Sequence, residues 1–155
     1  MAEVSAEDFV GINDLLCRFF AAFDDKDWAS MSAVLAEEIY IDYSASGREA
    51  PTRIKGADFA ALRRNAVDTL SKQHGFSNLL LSRNGDGLKG SCNYLIFRFA
   101  LDFDGEGADH YHSCGKYWFD FTRNDGSWKI SGIIQKSLKS WGNQDLHRGS
   151  NKQKP

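Results

Sequence analysis

Two short segments carry the residues best suited to chemistry, Phe23-Asp24-Asp25-Lys26-Asp27-Trp28 and Lys72-Gln73-His74-Gly75. An imidazole has an unperturbed pKa of about 6.5, so modest surroundings set it where a general base works near neutral pH. A carboxylate bonded to its other ring nitrogen raises its basicity and fixes its tautomer. If His74 and Asp24 meet in one cavity, they supply a base and the group that orients it, enough for proton abstraction without metal or cofactor. On spacing alone the blander outcome is the commoner one: a satisfied core histidine, and an aspartate capping a turn between helices.

Other side chains could serve the same cavity. Tyr43 follows Asp42 at the end of a short strand pattern, where a phenol can bond a substrate carbonyl and stabilise an enolate; the ordinary alternative is a half-buried strand tyrosine. Ser113 lies in the strand pattern Tyr111-His112-Ser113-Cys114-Gly115-Lys116-Tyr117. If the odd positions face inward, Ser113 is a polar contact in the cavity, and His110 and His112 face outward. Those two histidines share a strand face, but two imidazoles without a third carboxylate or thiolate make a weak metal site. Asn84-Gly85-Asp86-Gly87 lacks the remaining ligands and the closing glutamate of a calcium loop, and reads as a turn. No metal site is therefore expected.

The elements that must position these groups follow from periodicity. Phe9, Ile12, Leu15, Leu16, Phe19, Phe20 and Phe23 form one stripe of a helix over Ala6–Asp24. At about 100° per residue, Asp25 falls opposite that stripe and Asp24 on its flank. Asp27 is a plausible N-cap for a second helix over Trp28–Ala36. Ile39–Tyr43 alternates as a strand, Ser44–Lys55 reads as a loop, and a third helix spans Gly56–Leu70. Four strands follow at roughly 73–83, 88–103, 109–123 and 127–138, separated by the turn signals at Asn84–Gly87, Asp104–Gly107 and Asn124–Gly126. Helices followed by strands predict an α+β domain, with one curved antiparallel sheet covered by helices on one face. One domain is expected over 1–141, with a polar, flexible tail over 142–155.

Bulk composition bounds the function. The 155 residues are 42% apolar and 13% aromatic, with eleven Phe and four Trp, which suits a cavity walled with rings. A formal net charge of −2 offers no footprint for nucleic acid. The basic residues near the end (His147, Arg148, Lys152, Lys154) are few and lack interleaved aromatics. Cys17, Cys92 and Cys114 are odd in number and widely spaced, against a disulfide framework. Met1–Ser5 lacks the apolar core of a secretory leader, and no apolar run approaches the roughly 20 residues needed to cross a bilayer. A cytoplasmic protein without membrane or nucleic-acid partners is expected.

Taken together, Phe23–Trp28, Ile41-Asp42-Tyr43, Gln73-His74, His110–Ser113 and Asp125–Lys129 resemble the cone-shaped α+β fold of the nuclear-transport-factor-like, ketosteroid isomerase and polyketide-cyclase-like (SnoaL-like) group. Within it the chain is most similar to the scytalone dehydratases. The resemblance fades after Trp141-Gly142. It implies a cofactor-independent dehydratase in which His74, backed by Asp24, takes the proton next to a ketone and a vicinal hydroxyl leaves as water. It implies that Tyr43 polarises the carbonyl, that Ser113 orients substrate or water, and that the substrate is a small cyclic hydroxy-ketone. It further implies a homo-oligomer, trimeric as in that family or dimeric as in other relatives of the fold.

Several positions depart from the family pattern. Phe23 stands where the family has a tyrosine, and Gly115 where an asparagine contacts substrate. A second active-site histidine has no clear equivalent, with Arg98 at or near its place. Arg98 is thus either a reader of an anionic substrate group or a residue of the sheet's outer face. These departures leave open an isomerase or cyclase that shares the enolate, and a non-catalytic binding or assembly module.

Overall fold

The computed structural model describes residues 3–149. Its first helix, α1 (Ala6–Asp25), starts where the Ser5 hydroxyl accepts the Asp8 N–H at 3.0 Å, and stops at Lys26, which turns left-handed at φ 53°. The expected stripe is buried from Ile12 through Phe20, whereas Phe9, at its outer end, stays 42% exposed. Asp24 is half-buried and Asp25 exposed, as the helical angles require. Asp27 caps α2 (Trp28–Val34) by accepting the Ser30 N–H. That helix ends two residues early because Leu35 is already extended and pairs with Ile130.

The sheet has six strands, β1 (Leu35–Asp42), β2 (Thr52–Lys55), β3 (Ser71–Asn84), β4 (Gly87–Phe99), β5 (Tyr111–Asn124) and β6 (Ser127–Gly142), in the order β2-β1-β6-β5-β4-β3. It is curved and unclosed, and antiparallel except where β1 runs parallel to β6. That parallel pair, and β2 inside the expected loop, are two differences from the sequence reading. β2 is four residues between Pro51 and Gly56, too short for a period to show. Helix α3 (Gly56–Asn65) stops five residues short of Leu70. There Asp68 accepts the Leu70 N–H and holds Lys72, a side-chain turn that competes with further helix.

Hairpin turns with left-handed Gly85 and with Asp125-Gly126 join β3 to β4 and β5 to β6. Secondary structure continues past residue 141: β6 reaches Gly142, and a short helix, α4 (Gln144–Gly149), follows. The part of the expected tail from residue 150 onward lies outside the described residues, as do Lys152 and Lys154.

The core lies between α1–α3 and the concave face of the sheet. Phe19, Phe20, Phe59, Tyr117, Phe119 and Phe121 dominate it, with Ile12, Leu16, Met31, Ile39 and Ile133. Among the described residues no helix is long and apolar enough to cross a membrane. At one end of the concave face the packing is incomplete, and the polar residues of the next section meet there.

Candidate active site

Strand alternation and one helix end bring His74 and Asp24 together. On β3, Lys72, His74 and Phe76 face inward while Ser71, Gln73 and Gly75 face solvent. The last turn of α1 sets Asp24 beside this strand. Its Oδ1 lies 2.6 Å from His74 Nδ1, and both carboxylate oxygens accept the His74 backbone N–H at 3.0 Å. This double hold on backbone and ring favours the tautomer in which Nδ1–H donates to the Asp24 carboxylate, leaving Nε2 as the basic nitrogen.

The histidine side chain is only 5% exposed. Phe20 and Phe23 stack on its ring at 5.6 and 5.2 Å. Burial pushes its pKa below the usual 6.5, while Asp24 opposes that push through its hydrogen bond and charge. The imidazole is therefore favoured in its neutral form at pH 7, with a ring nitrogen able to accept a proton.

Tyr43 follows β1 and is 3% exposed. Arg63 packs over its ring, and burial raises the phenol to about 12, so it remains a donor. Its hydroxyl is a buried side-chain polar atom with no hydrogen-bond partner among the described residues. The neighbouring phenol, Tyr117, accepts from Gln135 Nε2 at 2.8 Å, and Gln135 Oε1 accepts from Ser46; its ring lies 6.4 Å from that of Tyr43, close enough for the two phenols to shift each other's acidity without a bond of good geometry.

His74, Tyr43, Phe23, Arg98, Tyr117 and Gln135 line one chamber, together with Arg48, Arg63, Lys72 and His147. The chamber is tight: about 50 Å³ admits the centre of a water molecule, room for about three to five waters. Arg98 continues the inward row Tyr94, Ile96 on β4, so it belongs to the inner face of the sheet and not the outer one. It donates to Ser113 Oγ at 2.9 Å. Ser113 is buried, but it lines an adjoining vestibule of about 240 Å³, not the chamber itself. Ser46, Arg98 and His147 line both spaces.

The outer face carries the two other histidines of the sequence reading. His110 and His112 stack at 4.5 Å. His112 does point away from the cavity, but it is not solvent-facing: Phe97, Phe99 and Trp141 pack round it, and its Nδ1 accepts the Arg98 backbone N–H. The departure at Gly115 also has a physical reason. A Cβ there would lie 2.1 Å from the Lys136 carbonyl and 2.8 Å from the Tyr94 ring, so no asparagine fits.

Sequence reasoning missed Lys72, Gln135, Tyr117, Arg48 and His147. Lys72 shares the parity of His74, and Gln135 that of Ile133, so a polar residue on a buried period was the available signal. Arg48 and His147 sit in a loop and a terminal helix, where no period operates.

A family model for the SnoaL-like domain matches residues 4–133. No curated protein sequence matches the chain significantly. Among solved structures, the Kfla4162 protein from Kribbella flavida aligns at a TM-score of 0.80 with 20% identity, over 93% of this chain and 99% of that one. Hexachlorocyclohexane dehydrochlorinase LinA-type3 from Novosphingobium barchaimii aligns at 0.71 with 18% identity, over 88% and 90%. A candidate scytalone dehydratase from Novosphingobium aromaticivorans aligns at 0.70 with 14% identity, over 88% of both. At these identities the structural likeness establishes the cone-shaped α+β fold.

Proposed function

The chain belongs to the SnoaL-like domain family, and on that premise we propose that it is a cofactor-independent dehydratase acting on a compact cyclic hydroxy-ketone. The observation that carries this reading is the 2.6 Å contact between Asp24 Oδ1 and His74 Nδ1 in a buried chamber that Tyr43 also lines, its hydroxyl without a hydrogen bond of good geometry among the described residues. His74 Nε2 takes the proton α to the ketone. The C–H electron pair becomes the enolate double bond, and negative charge moves to the carbonyl oxygen. Tyr43 donates its unused O–H to that oxygen. As the enolate collapses, the β-hydroxyl leaves, taking the proton from His74 Nε2–H and departing as water. The imidazole returns to its neutral form and the product is an enone, or an aromatic ring where the skeleton permits. Asp24 holds the tautomer throughout and stabilises the imidazolium.

Two structural neighbours bear names of elimination enzymes, one removing hydrogen chloride and one water. Both eliminations need a base that reaches the proton on the carbon next to the one losing its leaving group, the role proposed for His74. An isomerase or cyclase would use the same enolate and return the proton elsewhere.

The test is an absorbance assay with scytalone or a simpler hydroxylated tetralone on wild type, His74→Ala and Asp24→Asn. Dehydration by wild type, with losses of about 10²–10⁴-fold in both variants at preserved melting temperature, supports the reading. Turnover unaffected by His74→Ala would sink it.

A further inference from the structure

The chamber holds more positive charge than it neutralises. Two of its four cations are matched: Arg63 makes two bonds to Glu49, and Lys72 pairs with Asp68. The other two, Arg48 and Arg98, have no carboxylate within ion-pair distance among the described residues. Arg98 is the more telling, because it is only 9% exposed. Its guanidinium reaches two neutral oxygens, Ser113 Oγ at 2.9 Å and the Tyr111 carbonyl at 3.5 Å.

A buried guanidinium without counter-charge is costly. A fold tolerates that at a place where a ligand supplies the anion. The surroundings respond to the excess. Burial, and the charge of Arg48, hold Arg98 below its usual value. His147 on α4 is driven down to about 4 by burial and by Arg98, Arg48 and Lys72.

We infer that the substrate is an organic anion, a carboxylate or a phosphate monoester, whose charged group is held by Arg98 and Arg48 while its ketone reaches His74 and Tyr43. Arg98 lines both chamber and vestibule, so one molecule can place its charge there and its reacting end inside. The guanidinium fork suits either oxyanion bidentately. This rests on the reading of His74 as the base at the chamber's inner end. Its consequence for specificity is direct: uncharged tetralones bind without the contact the site is built to make.

Binding of benzoate, phenyl phosphate and the neutral benzamide, followed by chemical-shift titration, tests it. Wild type should bind one of the anions at least tenfold more tightly than benzamide. The tighter of the two assigns carboxylate or phosphate. Arg98→Gln and Arg48→Gln should each remove most of that preference and leave benzamide unchanged, with melting temperatures reporting that both variants are folded. His74→Ala should keep the preference. Equal affinity for anion and amide, no saturable anion binding, or a preference untouched by either arginine variant overturns the inference. If the preference holds but no charged or neutral hydroxy-ketone is turned over, the anion site stands and the dehydratase reading fails.

Discussion

The two ends of the cone each gather buried charge, and they handle it in opposite ways. Near the start of α1, Asp8 is 5% exposed and its carboxylate accepts three donors: Arg83 at 2.9 Å, Arg123 at 2.6 Å and Trp128 Nε1 at 3.2 Å. Hydrogen bonds and the two guanidiniums hold its carboxyl below the usual range against the opposing push of burial. Near the end of the same helix, about 24 Å away by helical rise, the chamber has two guanidiniums with no carboxylate at ion-pair distance and a buried phenol with no hydrogen bond of good geometry, among the described residues. Saturation marks the end that holds the fold, and deficit marks the end where the proposed ligand would supply the missing charge. In water-poor surroundings an unmet polar group is expensive, so its retention needs a function to explain it.

The sharpest way to separate the ends is to remove one group from each. Tyr43→Phe deletes the unpartnered hydroxyl. Catalysis should fall about 100-fold, in line with loss of one donor to a developing oxyanion, while thermal stability holds or rises because an unmet buried donor is gone. Parallel kcat and melting curves check this; a clear loss of stability would mean the phenol was satisfied after all. Asp8→Ala should do the reverse. We expect a loss of about 2–3 kcal/mol, kept below the fully buried case because Arg83 and Arg123 are 32% and 49% exposed and can turn to water. Urea denaturation measures it, and kcat per folded molecule should not change.

A smaller effect lies between the two ends. Gly115→Ala places a Cβ 2.1 Å from a backbone carbonyl of β6 and against Tyr94, so strand separation is forced at the bulge. A loss of about 1–3 kcal/mol is expected, read by the shift in denaturation midpoint. Unchanged stability would show that the sheet gives more easily than its register implies.

The smallest expected effect is on pH dependence. His74, His112 and His147 all have pKa values below 6.5 in the folded chain, first because of burial. Below about 6.5 the unfolded chain binds more protons than the folded one. Their stabilising contribution is therefore complete above that pH and lost as pH falls towards the folded values, about 4 for His147. Melting temperature should decline across that window and be flat just above it. Activity should likewise be flat at neutral pH and decline only below 6.5, as Nε2 of His74 protonates. An activity that declined from pH 8 downward would contradict a depressed base.

Much of the saturated architecture was legible from pattern. The α1 stripe, the caps at Asp27 and the hairpin glycines each follow from local rules, and the 14 residues of β3 carry enough alternation to place His74 inward. The orientation of Asp24 followed from helix angle alone. What was not legible depends on three-dimensional closure. The parallel pairing of β1 with β6 joins residues about ninety apart in the chain, Tyr40 with Gly132, and leaves no local trace. The end of α3 is set by a side-chain turn at Asp68, not by periodicity. Arg98 could be read as inner or outer until strand parity was fixed by Tyr94 and Ile96. His147 reaches the chamber only because α4 follows β6, at a place where the sequence offers a polar stretch without period.

Proton abstraction by His74 is the claim on which the comparison turns, and it can be observed without any leaving group. Wild type and His74→Ala would each be incubated in D₂O with 2-tetralone and with a carboxylated tetralone, following loss of the α-proton signal by NMR. The account predicts exchange above the buffer rate for wild type, faster with the carboxylated ketone, and none above buffer for His74→Ala. Exchange equal in both proteins, or absent from both with either ketone, would contradict it.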